Sequence, residues 1–303
     1  MKSVVDDMRG RVALVTGASA GIGRAVASGL AERGATVLAV SRAGGAGAEV
    51  VDALRAGTGN PDHRFLPADL SAQGEVRAVA AEITRQVPRL DVLVNNAGGF
   101  FARRRVTIDG IERTFALDHL ASVLLTLLLL EPLAAARGRV VLTTSLVAPW
   151  GRVHRDVQLR RGYNGVSAYA QARLGNVLFA QELARRVPAD ALTINAFDPG
   201  VVRTELGQGP GFLNLCIRVA QAGFGRGPDA AAQTALTLAC SPELDGATGG
   251  LWKDGRRLPT PRVARDPRVA ARLWEVSLRM LELSDEELAP LRRLEALARG
   301  RAT

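Results

Sequence analysis

Thr16-Gly17-Ala18-Ser19-Ala20-Gly21-Ile22-Gly23 closes a short apolar run, Arg11 to Thr16, and opens an amphipathic stretch that reaches about Arg33. A short β-branched run reads as a buried strand, and the stretch behind the glycines reads as a helix. Val37 to Val40 is a second apolar run. Strand, glycine turn, helix and strand make a βαβ unit. Its first turn points backbone N–H groups and a helix N-terminus at the place where a pyrophosphate can sit. The spacing is Thr-Gly-x-x-x-Gly-x-Gly rather than Gly-x-Gly-x-x-Gly, so the strand and helix around it carry the reading. The second strand ends at Arg42. A carboxylate there would favour a free ribose 2′-hydroxyl, whereas an arginine favours a 2′-phosphate, so the expected cofactor is NADP(H).

Working outward, Arg64 to Leu66 is a third strand, with Asp69-Leu70 at its end placed to meet the adenine. Leu90 to Val94 is a fourth, closed by Asn95-Asn96-Ala97-Gly98, which would lock it to its neighbour beside the cofactor. A long helix is expected from about Gly110 to Ala136, carrying Asp118. Arg139 to Thr144 and Ala191 to Phe197 are strands ending at Ser145 and at Asp198-Pro199-Gly200-Val201-Val202-Arg203-Thr204. Between them a helix to about Val187 carries Tyr169 and Arg173, one turn apart on one face. A cation there makes the phenol a usable proton donor or acceptor. Gly207 to Gly227 reads as a lid, and Gly249 to Trp252 as the last strand. The expected fold is α/β: one Rossmann-type, doubly wound parallel sheet of about seven strands with helices on both faces. It forms a single domain over 1–303, with a core at about 9–255 and a C-terminal helical extension at 256–303.

The bulk numbers agree with a globular protein. Of 303 residues, 47% are hydrophobic and 23% charged. The net charge of +9 is spread along the chain as arginine, with Lys2 and Lys253 the only lysines, so no nucleic-acid face is expected. Arg103, Arg104 and Arg105 read as a solvated loop. Cys216 and Cys240 lack metal spacing and read as reduced core thiols. His63, His119 and His154 are too dispersed for a metal site. Met1 to Gly10 is polar, and the apolar run Ala121 to Leu130 is too short to span a bilayer, so a cytoplasmic chain is expected.

These residues resemble the short-chain dehydrogenase/reductase family. The resemblance rests on the glycine loop, Asn95-Asn96-Ala97-Gly98, Ser145, Tyr169, and Pro199-Gly200 with Thr204. It covers roughly residues 9 to 284 and is strongest to the retinol dehydrogenase-like branch. The local matches are Thr107-Ile-Asp-Gly-Ile-Glu112, Leu117-Asp-His-Leu120, Gly151-Arg-Val-His154, Asn176-Val-Leu-Phe-Ala-Gln-Glu-Leu-Ala184 and Leu273-Trp-Glu-Val-Ser277. Taken with the residue readings, it implies a cofactor held by Gly17, Ser19, Ala20, Gly21, Ile22, Gly23, Arg42, Asp69, Leu70, Asn95, Ala97, Gly98, Tyr169, Arg173, Pro199, Gly200, Val202 and Thr204. It implies a catalytic set of Tyr169, Ser145, Arg173 and Asp118, and a homodimer or homotetramer.

Two positions depart from the family pattern, which has lysine where this chain has Arg173 and asparagine where it has Asp118. The family's lysine hands on a proton. Arginine binds and orients but does not deprotonate in proteins. Asparagine with lysine carries one positive charge; Asp118 with Arg173 carries none. The pair is therefore expected to compensate and to leave Tyr169 a neutral proton donor, suited to carbonyl reduction. The expected substrate is a small hydrophobic carbonyl or alcohol, with Phe100, Phe101, Trp150, Tyr163 and Phe212 near it. Two alternatives stay open: a non-redox enzyme on the same scaffold, and a non-catalytic nucleotide-binding protein.

Overall fold

A computed structural model describes residues 7–153, 156–202 and 225–300. Among these residues eight strands form one sheet in the order β3-β2-β1-β4-β5-β6-β7-β8. They are β1 (Val12–Thr16), β2 (Thr36–Ser41), β3 (Arg64–Pro67), β4 (Val92–Asn95), β5 (Arg139–Thr143), β6 (Thr193–Phe197), β7 (Leu251–Lys253) and β8 (Arg256–Leu258). Every pairing is parallel except β7 with β8. The order reverses at β1 and β4, and at such a switch point the strand ends part to leave a crevice.

The two faces follow the alternation of side chains along each strand. Ala13, Val15, Val37 and Ala39 join one apolar cluster with Val26 and Leu30 of helix α1 (Gly21–Glu32). Helix α2 (Gly45–Thr58) adds Val50, Val51 and Leu54 to it. Leu14, Leu38 and Val40 point the other way, into the cluster under helix α3 (Gln73–Gln86).

The stretch expected as one helix from Gly110 to Ala136 is broken. It begins with a single turn, α4 (Arg113–Phe115), and widens into a π-helical turn at Ala116–Leu120. It continues as α5 (Ala121–Leu128), then turns by 63° into α6 (Leu130–Ala136). Pro132 accounts for the bend: it has no N–H to give, and its ring excludes the carbonyl of Leu128 from the helix ladder. Glu112 caps the start, its carboxylate accepting from the N–H groups of Thr114 and Phe115.

Helix α7 (Gly165–Arg186) is buried along most of its 22 residues because it is covered twice. The sheet lies on one side. On the other lies α9 (Pro267–Leu281), with Trp274 stacked on Phe179 at 5.8 Å. Helix α10 (Asp285–Gly300) reaches α5, α6 and α7. Helix α8 (Pro228–Cys240) packs on α1, across the sheet. The last segment is thus not purely helical: Arg256–Leu258 adds an antiparallel edge strand, the eighth, to the seven expected. No single helix among the described residues is long and apolar enough to cross a membrane.

Candidate active site

A cleft of about 980 Å³ opens at the carboxyl ends of the strands. Its cradle is the turn after β1. Gly17 and Gly21 adopt φ of +66° and +55°, in the left-handed region that favours glycine. A Cβ on Gly23 would stand 2.2 Å from the Gly17 carbonyl oxygen, so only glycine lets α1 start this close to the strand. Thr16 ties the turn to β4: its hydroxyl accepts from the N–H groups of Asn96 and Ala97 at 2.9 and 3.0 Å. The Asn96 amide donates to the Thr16 carbonyl at 3.1 Å. The N-terminus of α1 has no side-chain cap and no acidic residue in its first turn. Its unsatisfied N–H groups and positive dipole end therefore face the cleft ready for an anion. Helix end and glycine cradle fit the pyrophosphate of a dinucleotide.

At one end of the cleft lie Ser41, Arg42, Asp69 and Leu70. Burial works against the Asp69 carboxylate, but the Ser71 N–H and O–H donate to it at 2.9 and 2.8 Å. With Arg113 and Arg42 beyond, they hold it below the usual carboxylate range.

At the other end Ser145, Tyr169 and Arg173 come together on the wall, with Phe100, Phe101, Leu117, Leu146 and Val166. Tyr169 and Arg173 share a face of α7, and the guanidinium lies 4.9 Å from the phenol ring centroid. Behind Arg173 stands Asp118, its Oδ2 3.0 Å from Arg173 Nη2, with the two side chains 0% and 4% exposed. The contact is one of charge rather than a well-aligned hydrogen bond, since that Oδ2 has no hydrogen-bond partner. Asp118 Oδ1 accepts from the Gly99 N–H at 2.8 Å. Burial pushes the Asp118 carboxyl up to about 6, with Arg173 and the Gly99 N–H holding it back. Burial alone would lower the Arg173 guanidinium; Asp118 and Tyr169 outweigh it and raise it. Gly98 is what admits the pair, because a Cβ there would stand 2.1 Å from Arg173 Nη2 and 3.2 Å from Asp118 Cγ.

Most of the expected cofactor residues line this cleft: Gly17, Ser19, Ala20, Gly21, Ile22, Arg42, Asp69, Leu70, Ala97, Gly98, Tyr169, Arg173, Pro199, Gly200 and Val202. Gly23 shapes it from below. Asn95 does not belong with them. It is buried at the end of β4, with its amide donating to the Thr126 hydroxyl at 3.0 Å, and its neighbour Asn96 takes the wall position and the bond to β1. Trp150 and Tyr163 also fall outside the wall. Trp150 is exposed, and the Tyr163 hydroxyl donates to the Phe101 carbonyl at 2.8 Å. Burial, with Glu112 close by, pushes that phenol up to about 12. Thr204, Phe212, Cys216, His154 and the expected lid lie outside the described residues, save that the lid's last positions, 225–227, are described. Among the described residues no cluster of His, Cys, Asp or Glu is able to hold a metal.

Two residues have no role assigned from sequence, although Asn176 opens one of the stretches that carry the family resemblance. Arg113 lines the cleft with its guanidinium 4.8 Å from the Phe101 ring centroid. Asn176 stands seven positions after Tyr169, on the stripe that holds Arg173, and that spacing was the signal for it.

A doubly wound sheet, a glycine cradle at its switch point and a serine–tyrosine–cation set beside it define an oxidoreductase of the dinucleotide-binding class. The chain belongs to the short chain dehydrogenase family, whose model matches residues 11–210. Retinol dehydrogenase 14 of Mus musculus is 36% identical over 285 residues, spanning 89% of this chain and 85% of that one. Polyprenol dehydrogenase of Mus musculus is 39% identical over 289 residues, 91% and 85%. A candidate daunorubicin C-13 ketoreductase of Streptomyces sp. (strain C5) is 38% identical over 270 residues, 88% and 91%. Among solved structures, an uncharacterised protein from Mycobacterium paratuberculosis superposes with a TM-score of 0.73 at 29% identity, over 92% and 96% of the two chains. A 3-oxoacyl (acyl-carrier-protein) reductase from Agrobacterium tumefaciens C58, solved with NADP bound, gives 0.65 at 26% identity, over 84% and 96%.

Proposed function

We propose that this chain is an NADPH-dependent reductase of a carbonyl group on a hydrophobic small molecule. The observation that carries the reading is the buried Asp118–Arg173 pair set behind Tyr169. The dinucleotide, when bound, supplies a hydride to the carbonyl carbon. Tyr169 gives its hydroxyl proton to the carbonyl oxygen, and Ser145 donates a hydrogen bond to the same oxygen. Arg173 orients the tyrosine and the nicotinamide ribose. It does not relay a proton, because a guanidinium paired with a carboxylate keeps its own. Tyr169 therefore recovers its proton from solvent in the cleft. The pair sums to zero charge, which leaves Tyr169 without the net positive neighbour that favours a phenolate and alcohol oxidation.

Arg42 at the end of β2 supports the choice of NADPH, as does the NADP-bound neighbour. The apolar wall of Phe100, Phe101, Leu117, Leu146 and Val166 supports a hydrophobic substrate. So do the names of the relatives, which refer to retinol, a polyprenol and daunorubicin. Acid–base chemistry by Asp118 itself is disfavoured by its position: Gly99 covers one oxygen and Arg173 the other, and the side chain is wholly buried.

The reading is tested by following NADPH oxidation against hydrophobic ketones and aldehydes, with binding of NADPH and NADH measured in parallel. Turnover with NADPH is expected, with NADPH bound more tightly than NADH. Binding without turnover of any carbonyl would refute the reductase reading. Restoring the usual charges with Asp118→Asn and Arg173→Lys should move the pH profile for alcohol oxidation to lower pH; an unchanged profile would refute the role given to the pair.

A further inference from the structure

Three buried side chains behind the cleft form a hydrogen-bonded line that the reaction above does not use. Asn176, 0% exposed, lies between two backbone carbonyls, with its Nδ2 2.9 Å from the Asp118 oxygen and 3.0 Å from that of Thr143. Both are acceptors, so both N–H groups of the amide are committed to them and its Oδ1 must face the other way. There it meets His119 Nδ1 at 3.2 Å. An amide oxygen only accepts, so Nδ1 carries the hydrogen and Nε2 of the neutral ring is left as an acceptor. The Ser277 hydroxyl, 3.0 Å away on α9, donates to it. Burial holds the imidazole down at about 4, so it stays neutral throughout the neutral range. The line therefore has one direction: serine to histidine, histidine to asparagine, asparagine to two carbonyls.

Those two carbonyls belong to the site. Thr143 ends β5, two residues before Ser145, and its oxygen also accepts from Arg173 Nη1 at 3.2 Å. Asp118 is the partner of Arg173 and lies in the π-helical turn. The wider turn leaves its carbonyl able to face α7. Tyr169, Arg173 and Asn176 occupy positions i, i+4 and i+7 of α7, one stripe along the helix. The residue before Asn176, Gly175, makes room for the ring, because a Cβ there would stand 2.8 Å from His119 Nδ1.

We propose that Asn176, locked by His119 and Ser277, is a positioning residue of the active site: it fixes the Asp118 and Thr143 carbonyls and so sets the Arg173 guanidinium against Tyr169. The inference rests on the cleft being the catalytic centre of a reductase. It makes α9, far along the chain, part of that centre. Removing the Ser277 hydroxyl leaves His119 Nε2 buried without its donor and takes away the ring's second anchor, so the contact that holds the Asn176 oxygen loosens.

The test uses the full chain with Asn176→Ala and Ser277→Ala, read in three ways. These are kcat and KM for a carbonyl substrate, the fluorescence of bound NADPH (which reports on the nicotinamide surroundings without turnover), and equilibrium denaturation. Expected for Asn176→Ala is a fall in kcat of about tenfold or more, as displaced catalytic groups give, with KM little changed and the bound-NADPH emission altered. Ser277→Ala should move the same readouts in the same direction by a smaller factor. It also carries the test alone if Asn176→Ala does not fold. A double variant whose kcat equals that of Asn176→Ala would place both side chains on one line, and fully multiplicative losses would overturn that line. Lower stability with unchanged kcat and emission in both single variants would overturn the proposal, leaving the network a core-packing feature. A wild-type chain that turns over no carbonyl refutes the reductase reading instead, and the emission of bound NADPH then decides the inference alone.

Discussion

Replacing Gly23 by alanine should weaken the dinucleotide more than it weakens the fold. The new Cβ would stand 2.2 Å from the Gly17 oxygen, 2.7 Å from its carbonyl carbon and 2.5 Å from Asn96 Nδ2. Two of these atoms are backbone of the cradle and cannot rotate away. The third is the side chain that joins β4 to the Thr16 carbonyl. Relief therefore requires the turn and the start of α1 to part by about 1 Å, since carbon and oxygen rest near 3.4 Å. Overpacking of this kind costs about 1–3 kcal/mol. If binding restores the closed cradle, that energy is subtracted from affinity, and about 1.4 kcal/mol per decade makes a loss of about 5- to 140-fold in Kd for NADPH. A fluorescence titration measures it directly. Gly57→Ala is the control: Gly57 lies in α2 with nothing near its added Cβ. It should bind normally and gain up to about 1 kcal/mol of stability. A Gly23→Ala protein that binds NADPH like the wild type, whether or not it melts earlier, would refute the argument that the cradle is closed by that contact.

The Gly98→Ala change aims at the other end of the cleft, where its Cβ meets Arg173 Nη2 at 2.1 Å. Here a flexible side chain is displaced, so kcat should fall by about tenfold or more while the melting temperature stays close to wild type. Arg42→Ala should cut the preference for NADPH over NADH by at least about tenfold, consistent with losing one charge-assisted phosphate contact, and parallel titrations check it. The pH dependence of stability carries two opposed contributions. Asp118 titrates near 6 when folded against 3.8 as reference, so the folded chain gains protons, and stability, as pH falls through that window. His119 titrates near 4 when folded against 6.5, so its contribution is complete above 6.5 and is lost as pH falls toward 4. The two act in opposite directions. Asp118→Asn removes the first, so its stability relative to wild type should decline between pH 6.5 and 4 by an amount on the order of 3 kcal/mol. Urea denaturation at pH 7 and pH 4.5 measures the difference, and parallel curves for the two proteins would contradict the assignment.

The parts of this fold that could be read in advance are those where one residue type answers one physical demand. Parallel strands buried on both faces need β-branched runs, and 12–16, 36–41, 139–143 and 193–197 have them. A helix N-terminus that must approach a phosphate needs glycine, and the turn after β1 has it. Other parts were hidden by competing signals. The run Ala121 to Leu130 is apolar but for Ser122 and Thr126, and this masked the break that Pro132 imposes just beyond it. Arg256-Arg257-Leu258 has no apolar pattern because it is an edge strand with exposed arginines, and it became visible only through its pairing with β7. Asn95 and Asn96 differ by one residue at a strand end, and that parity sends one to Thr126 and the other to the cleft. The charge match of Asp118 with Arg173 was legible from the two departures. The π-helical turn that aims Asp118 was not, because it depends on packing against α7.

The outer face of α7 has one further consequence. It is already covered by the chain's own C-terminal helices: Trp274 on Phe179, and Arg186 bridging to Glu295 at 2.8 Å. A second copy approaching from that side meets α9 and α10 rather than the helix that carries Tyr169. Residues 267–300 therefore act as a built-in neighbour. Exchanging them for another family member's tail would replace the wall behind the active site, so the two halves of this chain are not interchangeable modules.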